Sequence, residues 1–218
     1  MKETVLVIAA HNDDQIIGAG GVLAKYAKQG KRIVTIVCSF GVVSHPHLRA
    51  EVIKKCRLEE CKKADGLLGF AETIYLGLKE SKFKDEFKKE AVRERIKDIL
   101  KKEKPRMIFT HGLDDFHPDH KEVYNFVESI ISKNQINCPV FSFDVWSVVK
   151  LRKRDLPKMV VNIDDTFGLK MKAILLHESQ FSVWMIGMWL LLWKVILKDW
   201  LSGKLYGHKY AEVFYRLR

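Results

Sequence analysis

Apolar and polar positions change rhythm along this chain at regular intervals, and each change marks an element. Val5 to Ala9 is a continuous apolar run rich in β-branched residues, the pattern of a strand buried on both faces of a parallel sheet. Helical periodicity follows from about Ile16 to Gln29, Gly30 ends it, and a second apolar run from Arg32 to Cys38 completes a βαβ unit. The alternation continues with a helix from about Arg49 to Leu68, a short strand from Thr73 to Leu76, a helix from about Lys88 to Lys102 and a strand from Arg106 to Thr110. A helix after His120 runs to about Lys133, and strands near Val140 to Phe143 and Met159 to Ile163 extend the sheet. Asp164-Asp165-Thr166 reads as the N-terminal cap of a helix reaching His177. Together these elements predict an α/β fold, a Rossmann-like and mostly parallel sheet with helices on both faces.

One segment breaks the pattern. From Phe181 to about Ser202 apolar residues cover every face, and four of the five tryptophans lie between Trp184 and Trp200. A helix of that kind must be buried against something. Lys194, Lys198 and Asp199 interrupt it too early for a membrane span, which needs about 20 apolar residues. A core or homo-oligomer contact is one reading; docking at a membrane surface, or an apolar roof over a lipid-bearing substrate, is the other.

Composition narrows the picture. At 218 residues and 47% hydrophobic the chain can build a sizeable core, and no Pro/Gly/Ser-rich linker divides it, so one domain over residues 1–218 is expected. The net charge of +11 raises the question of nucleic acid. Much of it, however, lies in Lys54-Lys55, Lys62-Lys63, Lys79 to Lys104 and Lys150 to Arg154, with acidic residues interleaved in the manner of solvated helix faces. No groove-reading motif accompanies it, and no nucleic-acid partner is expected. Attraction to anionic substrates or lipid surfaces fits the charge. Cys38, Cys56, Cys61 and Cys138 form neither Cys-x-x-Cys pairs nor a secreted framework, and Met1-Lys2-Glu3-Thr4 leads straight into a strand without an export signal. A cytoplasmic protein is expected, with the inner membrane face as a peripheral site if the Trp-rich segment docks there.

Two polar clusters carry the chemistry, His11-Asn12-Asp13-Asp14-Gln15 and His117-Pro118-Asp119-His120, each shortly after a predicted strand. Ligand sites in open α/β sheets gather at the carboxyl ends of the strands, so the two can meet. His11 and Asp14, three apart on a loop, can grip one ion, with His120 as third ligand and a fourth position left open, the arrangement of catalytic zinc. Asp13 is then free to act as general base toward a water whose pKa the metal lowers. His117 could polarise a substrate carbonyl or hold its oxyanion, and Asp119 could orient an imidazole through its second nitrogen. Pro118 opening a helix with Asp119 in its first turn is also an ordinary helix start. At the same sheet edge, His111 could line the site or serve as a hydrogen-bonded structural residue, and Asp114 and Asp115 could support the ligands or form a turn. His45 and His47 read as loop residues facing solvent or substrate. Gly18-Ala19-Gly20-Gly21 lacks the spacing of a dinucleotide motif.

These residues resemble the PIG-L/LmbE-like N-deacetylases. Ala10-His11-Asn12-Asp13-Asp14-Gln15 with the glycines after it is similar to that family's Ala-His-Pro-Asp-Asp-Glu and Gly-Gly signature, and His117-Pro118-Asp119-His120 to its second metal motif. Arg57, Glu60, Ala64 and Leu68-Gly69 resemble its Arg-x-x-Glu helix, Lys172-Ala173 and His177-x-Ser179-Gln180 its late segment, and Tyr210-Ala211-Glu212 with Phe214 its C-terminal strand. The resemblance implies zinc on His11, Asp14 and His120, Asp13 as base, His117 as the oxyanion-side group supported by Asp119, and Arg57 on the substrate's polar groups. It implies removal of the acetyl group from an N-acetylglucosamine-type conjugate. Other amides, such as a thiol conjugate, and a non-catalytic binding role are the alternatives, and nitrogen and oxygen ligands also accept iron, manganese or cobalt. Two departures stand out: Asn12 replaces a proline, which is expected to loosen the turn, and Gln15 replaces a glutamate, which removes a negative charge beside the ligands.

Overall fold

The β-branched run at the start of the chain becomes the central strand, β1 (Thr4–Ala9), buried along its whole length. In the computed structural model, which describes residues 2–44, 49–133, 136–147, 156–181 and 186–218, the other strands are β2 (Arg32–Val37), β3 (Glu72–Tyr75), β4 (Met107–His111), β5 (Val140–Phe143), β6 (Lys158–Asn162) and β7 (Ala211–Arg216). They form one sheet in the order β3-β2-β1-β4-β5-β7-β6. The first five run parallel, and β7 runs antiparallel to both β5 and β6. The expected mostly parallel α/β sheet is what forms, but the C-terminal strand slides in between β5 and β6, so those two do not pair.

The helices are α1 (Asp14–Lys28), α2 (Ala50–Leu68), α3 (Phe83–Glu86), α4 (Glu90–Glu103), α5 (Pro118–Ser132), α6 (Phe167–Leu175) and α7 (Ile186–Leu205). Successive residues of a strand point to opposite faces, and β1 uses both. Val5 and Val7 pack with residues of α1, α2, α6 and α7, such as Leu23, Ala64, Ala173 and Leu191. Leu6 and Ile8 pack on the other face with Phe83, Ile96, Val123 and Phe126 from α3, α4 and α5. This two-sided burial is why the run reads as continuously apolar rather than alternating.

Three expectations change. Thr166 does precede α6, but its side chain makes no cap hydrogen bond there; its hydroxyl donates to the Gly21 carbonyl at 2.8 Å, tying α6 to α1. Asp164 instead accepts the backbone N–H of Tyr210 at 2.6 Å. The apolar helix begins at Ile186 rather than Phe181, and it is not covered all round: Met188, Leu191 and Val195 are buried while Trp193 is 68% exposed. Trp184, His45, His47 and the basic stretch Lys150 to Arg154 lie outside the described residues.

Charge fixes the rotation of α7. Lys170 of α6, fully buried, places its Nζ 2.5 Å from Asp199 of α7 and 2.8 Å from Glu212 of β7. Glu212 also accepts the N–H groups of Gly21 and Val22 at 3.0 and 2.7 Å. Buried charges are tolerable only when paired and hydrogen-bonded, so rolling α7 would strand Asp199 and leave Glu212 alone to pair the Lys170 ammonium.

The glycines of α1 serve packing. A Cβ built on Gly18 would fall 2.2 Å from Phe143 Cδ2, and one on Gly21 2.8 Å from Ile163 Cδ1. Their absence lets α1 lie close on the sheet. Gly18→Ala is therefore expected to destabilise the protein by about 1–3 kcal/mol, read as a lower denaturant midpoint at unchanged slope; an unshifted midpoint would contradict this packing role.

Candidate metal centre

Crossovers from β1 lead to β2 and β3 on one side, and β4 continues to β5 on the other, so β1 and β4 flank the point where the strand order reverses. Crevices open at such points, outside the carboxyl ends of the strands. The turn after β1 carries His11 and Asp13, Asp14 opens α1, and the turn after β4 carries Asp115 and His117. Pro118 begins α5, with His117 as the residue before it, so His120 lies inside the first turn of a helix.

One carboxylate oxygen gathers the imidazoles. Asp14 Oδ2 stands 3.3 Å from His11 Nδ1, 3.2 Å from His120 Nε2 and 3.4 Å from His111 Nε2, and it accepts the His11 N–H at 2.8 Å. Donor atoms that share a tetrahedral cation with bonds of about 2.1 Å stand about 3.4 Å apart. His120 is fully buried, and among the described residues neither of its ring nitrogens has a hydrogen-bond partner, a cost that a bound cation would remove at Nε2. Ligand nitrogens of His11, His117 and His120 also lie within 4.8 Å of one another, as do donor atoms of Asp14, His111 and His120.

Hydrogen bonds separate the five. His111 Nε2 accepts the Ala10 N–H at 3.0 Å, so the lone pair that faces Asp14 is already used, and His111 reads as structural. His117 Nδ1 accepts the Asp119 N–H at 3.2 Å; a neutral ring then carries its proton on Nε2, which suits donation to an oxyanion and not metal ligation. His11, Asp14 and His120 keep donor atoms available. Asp119 places its carboxylate 3.4 Å from His11 Nε2, not on His117. The support expected for His117 comes from the Asp119 amide, whereas the carboxylate orients His11 through its second nitrogen. Asp115 Oδ1 stands 3.1 Å from His120 Nδ1, and Oδ2 accepts the N–H groups of Val145 and Trp146 at 2.7 and 3.1 Å, so it shapes the loop and holds a ring at once.

Sequence reasoning missed two contributors. Ser81, a non-glycine residue at a φ of 60°, aims its N–H at both Asp119 oxygens, 3.1 and 3.2 Å away. Glu80 accepts the N–H groups of Val42 and Val43 at 2.7 and 3.1 Å. Both residues line a cavity of about 340 Å³ together with His11, Asp13, Asp14, Arg57, His117 and Asp119. Neither residue type nor spacing announces such backbone-directed roles.

Burial lowers the basicity of His11, but Asp119 and Asp14 outweigh it and push its pKa up to about 10. In His120 the same burial is outweighed by Asp14 and Asp115, giving about 9. Asp14 itself is held well below the usual carboxylate range: burial opposes this, and His120, His11 and His111 outweigh it. At neutral pH the cluster without a metal thus binds protons where a cation would sit.

Residues 6–131 match the PIG-L family, described as GlcNAc-PI de-N-acetylase. The chain belongs to this family. It is 27% identical over 226 residues to the diacetylchitobiose deacetylase of Thermococcus kodakarensis, spanning 95% of this chain and 80% of that protein. With the probable N-acetyl-alpha-D-glucosaminyl L-malate deacetylase 2 of Bacillus cereus it shares 28% identity over 83% of this chain and 84% of that one. The N,N'-diacetylchitobiose deacetylase of Pyrococcus horikoshii superposes with a TM-score of 0.80 at 22% identity, covering 99% of this chain and 84% of that structure.

The PIG-L segments recognised far apart in sequence meet in space. Glu60 of α2 accepts both the N–H and the hydroxyl of Ser179 at 2.7 Å, and Gln180 joins the cavity wall. Asn12 does not loosen its turn. Fully buried, it donates from Nδ2 to the Arg57 carbonyl at 3.0 Å and accepts Arg57 Nη1 at 3.2 Å, and the guanidinium packs against Gly41, where a Cβ would lie 2.4 Å from Nη1. Gln15 donates from Nε2 to the Asn12 carbonyl at 3.0 Å, a bond an ionised glutamate could not make.

Two outcomes follow. Because protons on His11 and His120 compete with a cation, affinity for a divalent metal should rise between about pH 6 and about pH 8 with protons released on binding; calorimetry in two buffers of different ionisation enthalpy measures the release, and none would contradict the assignment. Asn12→Ala should cost about 1–3 kcal/mol by removing its two buried hydrogen bonds with Arg57, read from chemical denaturation.

Proposed function

We propose that residues 1–218 act as one catalytic unit that hydrolyses the N-acetyl group of an N-acetylglucosamine-type conjugate, releasing acetate and the free amine. The observation that carries this reading is the convergence of His11 Nδ1 and His120 Nε2 on Asp14 Oδ2, at 3.3 and 3.2 Å, beside Asp13 and His117 on one cavity wall. His11, Asp14 and His120 would hold zinc, which their nitrogen and oxygen donors suit. A bound cation supplies Lewis acidity and makes water a nucleophile near neutral pH. Family membership and relatives named as deacetylases of acetylated amino sugars support the substrate class.

The chain's own groups divide the remaining work. Asp13 precedes α1 but makes no side-chain cap bond, and it lines the cavity, so its carboxylate is free to take the proton of the attacking water. The same group later returns a proton to the departing nitrogen. His117 donates from Nε2–H to the acetyl oxygen as negative charge develops there. Burial, followed by the charges of His120 and His11, holds the His117 pKa below its ordinary value, which keeps a neutral ring in place. Arg57, 3% exposed and held by Asn12, offers its guanidinium to the sugar's polar groups. A cavity of about 340 Å³ suits one amino-sugar unit with its conjugate outside. The cysteine spacing supports a cytoplasmic setting for this reaction.

Asp13→Ala should retain metal and lose about 10²–10⁴-fold in turnover, whereas His120→Ala should lose the metal. Acetate release from N,N'-diacetylchitobiose and other N-acetylglucosamine conjugates, with other amides as controls and with and without chelator, measures both. Near-normal turnover of Asp13→Ala, or activity on the control amides alone, would overturn the reading.

A further inference from the structure

The exposed face of α7 has no role in the deacetylase reading. Trp189, Leu190, Trp193, Leu197, Leu201 and Leu205 are between 44% and 76% exposed, and their spacing places them on one stripe of the helix. The opposite side, Met188, Leu191 and Val195, is packed in the core. The Lys170–Asp199–Glu212 cluster prevents α7 from turning the stripe inward. Isolated apolar side chains on a surface need no explanation, but a continuous aromatic and aliphatic stripe of this kind marks a contact with another phase or molecule.

Charge selects the occupant. α7 carries Lys194, Lys198 and Lys204 and a single acidic residue, Asp199, which is buried. Lys194 donates to the Val145 carbonyl at the cavity wall, and Lys198 and Lys204 accompany the stripe. A second copy bound across a two-fold axis would set these lysines against themselves with no carboxylate on the helix to receive them. An anionic lipid surface instead offers phosphates to Lys198 and Lys204 and an acyl boundary to the Trp and Leu side chains, and the chain's net charge of +11 adds to the attraction. No helix among the described residues is long and apolar enough to cross a membrane, so α7 would lie in the headgroup layer. We propose that the exposed stripe of α7 docks this protein on the surface of an anionic lipid bilayer. The stripe begins beside the cavity, whose wall includes Met188 and Leu191 from the same helix together with Val43 and Trp146, 62% and 36% exposed.

The full chain tests this by co-sedimentation with vesicles of phosphatidylcholine alone and of phosphatidylcholine with about one-third phosphatidylglycerol. Binding is expected to the anionic vesicles, to weaken as salt is added, and to fall about tenfold or more in a Trp193→Glu/Leu197→Glu double variant. That variant should hydrolyse water-soluble N,N'-diacetylchitobiose at the rate of the parent, which shows that it is folded. Absence of binding to anionic vesicles, equal binding to both vesicle types, or a dimer seen by light scattering that the double variant dissociates would each overturn the proposal. Sedimentation does not depend on turnover, so its failure would leave the deacetylase reading untouched.

Discussion

Asp14 is the charge about which this molecule is organised. Its carboxylate is 3% exposed and has three imidazole rings within 3.4 Å of one oxygen. A buried carboxylate is expensive unless positive charge or hydrogen bonds surround it, and both are supplied here from two places: the adjoining turn after β1, whose His11 N–H it accepts, and the first turn of α5, which brings His120 from about a hundred residues away. Once Asp14 is ionised in that place, it raises the basicity of His11 and His120, whose ring nitrogens face it.

The fold makes this arrangement affordable because β1 and β4 are neighbours whose onward connections diverge. Their carboxyl ends bring two polar turns to one crevice while the strands themselves stay buried and mostly apolar. At Gly18 the missing Cβ lets α1, which Asp14 opens, lie directly against Phe143 of β5. Around the candidate ligands, Asp119 and Asp115 face the rings and the Ser81 amide holds Asp119, so the geometry depends on loops as much as on the two motifs.

Elsewhere the same rule of compensated burial applies with a different outcome. Lys170, Asp199 and Glu212 form a closed polar cluster that orients α7, and its consequence is outward: the apolar stripe is held toward solvent. An ion cluster in the core thus determines which surface the protein presents.

Much of this was legible in the chain. Val5 to Ala9 could be nothing but a strand buried on both faces, and the polar turns after it and after Thr110 marked the site, because uninterrupted β-branched runs and His/Asp clusters carry strong local signals. Local signals end at the backbone. That Asp119 holds the ring of His11 and not that of His117, that Asn12 clamps Arg57 instead of loosening its turn, and that His111 spends its nitrogen on the Ala10 amide are outcomes of distances between segments 45 to 108 residues apart. The position of β7 between β5 and β6, and the open side of α7, were likewise decided only by packing. Residue type specifies which groups can donate, accept or be buried; tertiary structure alone decides which partner each one meets.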